Sequence, residues 1–252
     1  MSGHSKWSSI KHQKGVTDAR RGKVFTKLTK EIMLAVRQGG PNPDTNYHLR
    51  LAIQKARDNN MPTDNVARAI KRGEGTLEGA NILAEITLEG YGPEGAAILV
   101  EAVTDNRNRT VQEVRSIFTK GGGNLAESGS VTWLFNRRGL ITIEADGQAA
   151  EDVEFKAIDA GAEDVDTQPG LVEIYTKPNE LEIVRKALEE SGVVICIAEL
   201  TKVPKSTVQL DDSKALQVLR LMEKMEEIDD TQNVYTNVDF PEDILEKQAQ
   251  TK

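Results

Sequence analysis

The chain has 252 residues, 38% of them apolar and 29% charged, with a formal net charge of −8. This is the composition of a water-exposed globular protein long enough for two or three small domains. Its longest apolar runs, Ala96 to Val100 and Val193 to Ala198, fall far short of a membrane span. Cys196 is the only cysteine, which excludes an intrachain disulfide and a cysteine-based zinc site.

The charge is unevenly placed. Residues 1–37 hold nine Lys and Arg (Lys6, Lys11, Lys14, Arg20, Arg21, Lys23, Lys27, Lys30 and Arg37) against Asp18 and Glu31, a net +7 in an acidic chain. Such a block suits a polyanion. Ser2 to Asp18 is polar without a sustained period and reads as an extended or mobile arm. Arg20 to Gln38 has helical periodicity: Val24, Phe25, Leu28, Ile32, Ala35 and Val36 fall within an arc of about 120°. Arg20, Lys23, Lys27, Lys30 and Arg37 fall within another of about 100° roughly opposite, and Gly39-Gly40-Pro41 ends the helix. Blander readings are an ordinary amphipathic surface helix and a mitochondrial transit peptide; a secretory signal lacks its apolar region.

A second helix is expected over 42–60, opened by Pro43-Asp44, with Leu49, Ala52, Ile53 and Ala56 as its apolar stripe. Asn59-Asn60-Met61-Pro62 breaks it. Thr63 reads as the N-cap of a third helix that ends at Gly73, with Arg68, Lys71 and Arg72 off its packing face. Residues 1–80 thus form a helical domain with 15 Lys and Arg against 7 Asp and Glu, net +8, while 81–252 hold 17 against 33, net −16. The shift falls at Gly73-Glu74-Gly75, a linker signal.

From Ala84 the period becomes strand-like. Strands are expected at 84–89 and 96–103, a helix at 109–120 stopped by Gly121-Gly122-Gly123, and a strand at 131–135. Strands at 140–144, 164–167, 171–176 and 193–200 with helices at 151–160 and 180–190 give the order βαββαβ of a ferredoxin-like domain. A helix over 213–228 and a strand over 233–238 follow. The first block, ββαβ, lacks a helix and a closing strand that these supply. The expected architecture is α+β: a helical domain (1–80), an α/β domain (81–135 plus 205–240), a ferredoxin-like α/β domain inserted into it (136–204), and a tail (241–252). Cys196, in an apolar strand-like run, is expected to be a buried, inert thiol.

Chemical signals are sparse. The run Thr119-Lys120-Gly121-Gly122-Gly123-Asn124 follows a helix and lacks the Lys-Ser/Thr ending of a phosphate loop, so a helix cap and loop is the better reading. His4, His12 and His48 have no metal-ligand spacing, and no catalytic constellation can be placed. No metal, cofactor or enzymatic activity is expected. Arg107 and Arg109, within Asp105-Asn106-Arg107-Asn108-Arg109-Thr110 at a strand-to-helix junction, could hold a phosphate or tie domains together by ion pairs.

Several motifs occur in order: Met1-Ser2-Gly3-His4-Ser5-Lys6-Trp7, Ile10-Lys11-His12, Lys14, Arg21-Gly22-Lys23-Val24-Phe25 and Leu28-Thr29-Lys30-Glu31-Ile32. Asn59-Asn60-Met61-Pro62, Arg68-Ala69-Ile70-Lys71-Arg72-Gly73, Glu89-Gly90-Tyr91-Gly92-Pro93, Thr104 to Thr110 and Gly129-Ser130-Val131 follow. Together they resemble the YebC/PmpR family over nearly the whole chain. The resemblance implies one helical and two α/β domains in a cytoplasmic bacterial protein that regulates transcription by binding promoter DNA. It also implies relatives that act in translation, as mitochondrial activators or in relieving ribosome stalling. Met1 directly before the Ser-Gly-His-Ser-Lys-Trp motif argues against a mitochondrial leader. The family supplies no catalytic residues.

The function expected is that of a nucleic-acid-binding regulator whose partner is DNA or ribosomal RNA, with no membrane partner. Phosphates would be gripped by Lys6, Lys11, Lys14, Arg20, Arg21, Lys23, Lys27, Lys30, Arg37, Arg68, Lys71 and Arg72. A translation factor on the ribosome, and an acidic adaptor for a basic protein, are the alternatives.

Overall fold

The structure, a computed structural model, describes residues 18–75, 83–241 and 244–245. The amino-terminal arm, most of the carboxy-terminal tail and the segment after Gly75 lie outside the described residues.

Three helices come first: α1 (Asp18–Gly39), α2 (Tyr47–Asp58) and α3 (Thr63–Gly73). The apolar face of α1 does what its period predicts. Leu28, Ile32, Ala35 and Val36 are buried against Leu49, Ala52 and Ala56 of α2, with Met61 and Ala69. α2 starts five residues later than expected because Asn46, not Asp44, caps it. The Asn46 side chain accepts from Leu49 N at 3.0 Å and donates to Ala35 O at 2.7 Å and Gly40 O at 2.8 Å, joining the end of α1 to the start of α2. The N-cap of α3 is Pro62 and carries no side-chain bond, so Thr63 is its first helical residue. Gly73 is required for packing: a Cβ there would stand 2.7 Å from Val36 Cβ and 3.0 Å from Met33 O.

The first sheet is built from β1 (Ala84–Tyr91) and β2 (Ala97–Thr104), a hairpin, then β3 (Asn124–Leu125) after helix α4 (Arg107–Lys120). The chain next forms the second sheet: β4 (Phe135–Ile143), α5 (Gln148–Asp159), β5 (Asp164–Gln168), β6 (Leu171–Thr176), α6 (Leu181–Glu190) and β7 (Ile197–Pro204). After β8 (Val208–Gln209) come α7 (Asp212–Glu226), β9 (Thr231–Thr236) and β10 (Val238–Asp239).

Sheet order in the first is β3-β1-β2-β9, so the carboxy-terminal strand closes a sheet begun about 150 residues earlier. In the second it is β5-β6-β4-β7, antiparallel throughout, the ferredoxin-like arrangement. The fold is α+β. The described residues divide into two compact units: one from α1 to Thr132 together with Leu210–Thr236, the other Trp133–Gln209 with the described residues from Asn237 on.

Some local expectations are corrected. Thr132–Leu134 is a 3-10 turn rather than a strand, and the strand that follows starts at Phe135. The closing strand of the first sheet ends at Thr236, and Val238-Asp239 pairs instead with Val208-Gln209. The apolar run 193–198 is not a buried strand: Val194 is 82% exposed and Cys196 is exposed, because β7 begins only at Ile197. Ile244 and Leu245, within the expected tail, are buried.

Candidate nucleic-acid interface

The cationic stripe of α1 is the starting point. Lys23, Lys27 and Lys30 stand at i, i+4 and i+7, so helical geometry puts them on one face. On that face Lys23 is exposed, and Lys27 and Lys30 are half-buried. The face meets the end of α7 and the turn into β9, within the same compact unit. Lys23 Nζ donates to Glu227 O at 3.2 Å, and Lys27 Nζ to Glu226 O at 2.6 Å. Lys30 Nζ donates to Asp229 O at 3.0 Å and Asp230 Oδ1 at 2.6 Å. The last carbonyls of a helix have no partner within it and carry the negative end of its dipole, so ammonium groups suit them. In this structure the three lysines each donate to the 226–230 segment of the same chain.

Asp230 is the hub of this contact. Its side chain is only 4% exposed. Oδ1 takes Lys30; Oδ2 accepts from Arg109 Nη2 at 2.7 Å, Thr110 Oγ1 at 2.6 Å and Thr104 Oγ1 at 3.0 Å. Burial alone would raise the carboxyl. The hydrogen bonds from Arg109, Lys30 and Thr110, with the Lys30 charge, outweigh it and hold Asp230 well below the usual carboxylate range. Arg109 also pairs with Asp105 at 2.9 Å, and the Asp230 hydrogen bond, then the Asp105 one, raise its already high pKa. Asp230 joins Arg109 to Lys30 of the helical bundle. Arg107, on the first turn of α4, is exposed.

The other expected cations are placed differently. Lys6, Lys11 and Lys14 lie outside the described residues. Arg20 is in the first turn of α1, and Arg21 after it is exposed; Arg37, in the last turn, is half-buried. Arg68, Lys71 and Arg72 are exposed on α3, with Arg68 Nε on Asp64 O at 3.2 Å and Nη2 on Asn65 Oδ1 at 2.5 Å. Lys23, Lys30, Arg72 and Arg109 converge on one cleft of about 910 Å³, whose wall also carries Asp105, Glu113 and Asp229. Arg68 is not part of that wall.

Sequence reasoning passed over the buried carboxylates, Asp230 and Glu89 among them. Glu89 accepts from the backbone N–H groups of Gly129 (2.7 Å), Val131 (2.7 Å) and Thr132 (2.8 Å). Burial pushes its carboxyl up, but these bonds, with one from the Thr132 side chain, pull it down further, so the net shift is downward. The glycines before this loop serve packing. Gly121 caps α4, and a Cβ on Gly123 would stand 2.4 Å from Tyr91 O. Among the described residues no group of three or more His, Cys, Asp or Glu could hold a metal ion, and no helix is long and apolar enough to cross a membrane.

Comparison with known proteins places this geometry in a family. Residues 5–76 match the family model described as the TACO1/YebC protein N-terminal domain, and 83–238 that of the TACO1/YebC second and third domain. A "Probable transcriptional regulatory protein" of Dehalococcoides mccartyi is 55% identical over 98% of both chains. One of Moorella thermoacetica is 52% identical over 98% of this chain and 99% of its own. The crystal structure of a conserved hypothetical protein from Aquifex aeolicus shares 50% identity, with a TM-score of 0.82 over 89% of this chain and 93% of that one. With both family models matched end to end along most of its length, the chain belongs to the TACO1/YebC family.

Proposed function

We propose that the protein is a non-enzymatic regulator of gene expression that binds nucleic acid, most directly promoter DNA, through the sugar-phosphate backbone. The observation that carries this reading is the segregation of charge: net +8 in residues 1–80 and net −16 in the rest. A neutral partner would give no reason for a domain boundary to be a charge boundary as well. The regulator names of the relatives agree with it. The readiest grip is supplied by Arg68, Lys71 and Arg72, exposed on α3, together with Lys6, Lys11 and Lys14 of the arm.

Six phosphates neutralised on duplex DNA give a slope of log K against log salt of roughly −5. Fluorescence anisotropy with labelled duplex, between low and moderate salt, measures it. Charge reversal at Arg68, Lys71 and Arg72 together is expected to lower the affinity at least tenfold and flatten the slope by about 3. An affinity indifferent to both salt and this substitution overturns the proposal. Co-sedimentation with ribosomes, run beside a promoter shift with competitor DNA, decides between DNA and ribosomal RNA as the partner.

A further inference from the structure

Three observations belong together. The stretch Glu226-Glu227-Ile228-Asp229-Asp230 has four carboxylates in five residues and sits at the negative end of α7. It meets Lys23, Lys27 and Lys30 one after another, through Glu227 O, Glu226 O, Asp229 O and Asp230 Oδ1. The apolar core of the helical bundle is complete without it: every member of that cluster lies between Val24 and Ile70. The contacts between the turn and the lysine stripe are thus hydrogen bonds and one ion pair, the kind that a competing polyanion or salt can part.

We propose that this joint is an autoinhibitory latch, in which the acidic 226–230 turn occupies the lysine stripe in place of a nucleic-acid backbone, and that bound nucleic acid displaces the turn and swings the bundle open. The inference rests on the nucleic-acid reading above and adds its regulation. The closed form presents the α3 cations; the open form adds Lys23, Lys27 and Lys30. Because one stripe cannot serve both the turn and a phosphodiester chain, opening and tight binding are linked. A receptor whose competent form is one molecule in about five binds about fivefold more weakly than when held open.

The test uses the full chain with two readouts. Nitroxide labels at Asp58→Cys on α2 and Ser213→Cys on α7, in a Cys196→Ser background, report the distance across the joint by electron-spin resonance. Anisotropy with labelled duplex DNA and single-stranded RNA reports affinity. Nucleic acid is expected to lengthen the distance. Asp230→Asn is expected to lengthen it without nucleic acid and to tighten binding about fivefold. Glu113→Gln, which removes an equal charge from the same cleft, is expected to do neither. Nucleic acid that binds while the distance stays fixed overturns the latch and leaves the nucleic-acid reading standing, as does equal tightening by both substitutions. An absence of binding by every variant overturns both.

Discussion

Replacing Asp230 by alanine tests the hub most directly. The substitution removes one acceptor group that takes four donors: Lys30, Arg109, Thr104 and Thr110. Each donor left unmet in a buried site costs about 1–3 kcal/mol, and breaking a buried ion pair about 3–5. Two features reduce the sum. Arg109 is 45% exposed and Lys30 18%, so water takes over part of each charge. Thr104 and Thr110 stand 2.8 Å apart and can satisfy each other. The expected loss is about 3 kcal/mol, a fall in Tm of roughly 6–12 °C for a chain of this size.

Calorimetry and urea unfolding measure the loss. A double-mutant cycle with Lys30→Met isolates the link across the joint, with an expected coupling of about 1–2 kcal/mol. A loss below about 1 kcal/mol, or no coupling to Lys30, would refute the argument that this carboxylate holds the bundle to the sheet.

Glu89→Gln leaves at least one of three backbone N–H donors unmet, at about 1–3 kcal/mol, and hydrogen exchange at Gly129, Val131 and Thr132 is expected to quicken by at least tenfold; unchanged exchange would show that the loop holds itself. Asp230 and Glu89 both have depressed folded-state pKa values, from ordinary values of 3.8 and 4.5. Each therefore contributes stability that is present above its unfolded pKa and lost as pH falls through the folded one. Urea unfolding is expected to show full stability above about pH 5 and a decline below about 4.5 that is shallower in Asp230→Ala. A variant that declines as steeply as the parent contradicts this assignment.

What was legible in the sequence was local. The apolar stripe from Val24 to Val36 predicts the inner face of α1, and the order of periods from Leu140 to Leu200 predicts the ferredoxin-like sheet, because both depend on spacing within one element. The start of α2 was missed because Pro43-Asp44 carries an opening signal as good as that of Asn46, and only the approach of Ala35 O and Gly40 O decides between them. The two-residue strand β3 has no period to read. Cys196 was misplaced because an apolar run does not say whether a sheet reaches it; β7 starts one residue later.

The site was half legible for a deeper reason. Charge can be counted in a sequence, but its partner cannot. Lys30 and Asp230 are 200 residues apart, and Arg109 and Asp230 are 121 apart, so nothing near either lysine or arginine announces the pairing. A row of lysines on an amphipathic helix reads as a free cationic face whether it meets phosphate, solvent or the end of another helix.

The salt dependence of binding separates these cases quantitatively. If the latch stays closed, the arm's three lysines and the three cations of α3 supply six contacts and a slope near −5. If nucleic acid opens it, Lys23, Lys27 and Lys30 join, and nine contacts give a slope near −8. Opening also breaks the bonds of those lysines to the 226–230 turn, which salt itself weakens, so the extra steepness is offset at low salt and is full only above the salt at which the joint parts. A plot that bends, from a shallower limb at low salt toward about −8 above the salt at which the joint parts, is the signature of a stripe shared between the turn and the ligand. A single straight line near −5 is the signature of lysines that belong to the fold alone.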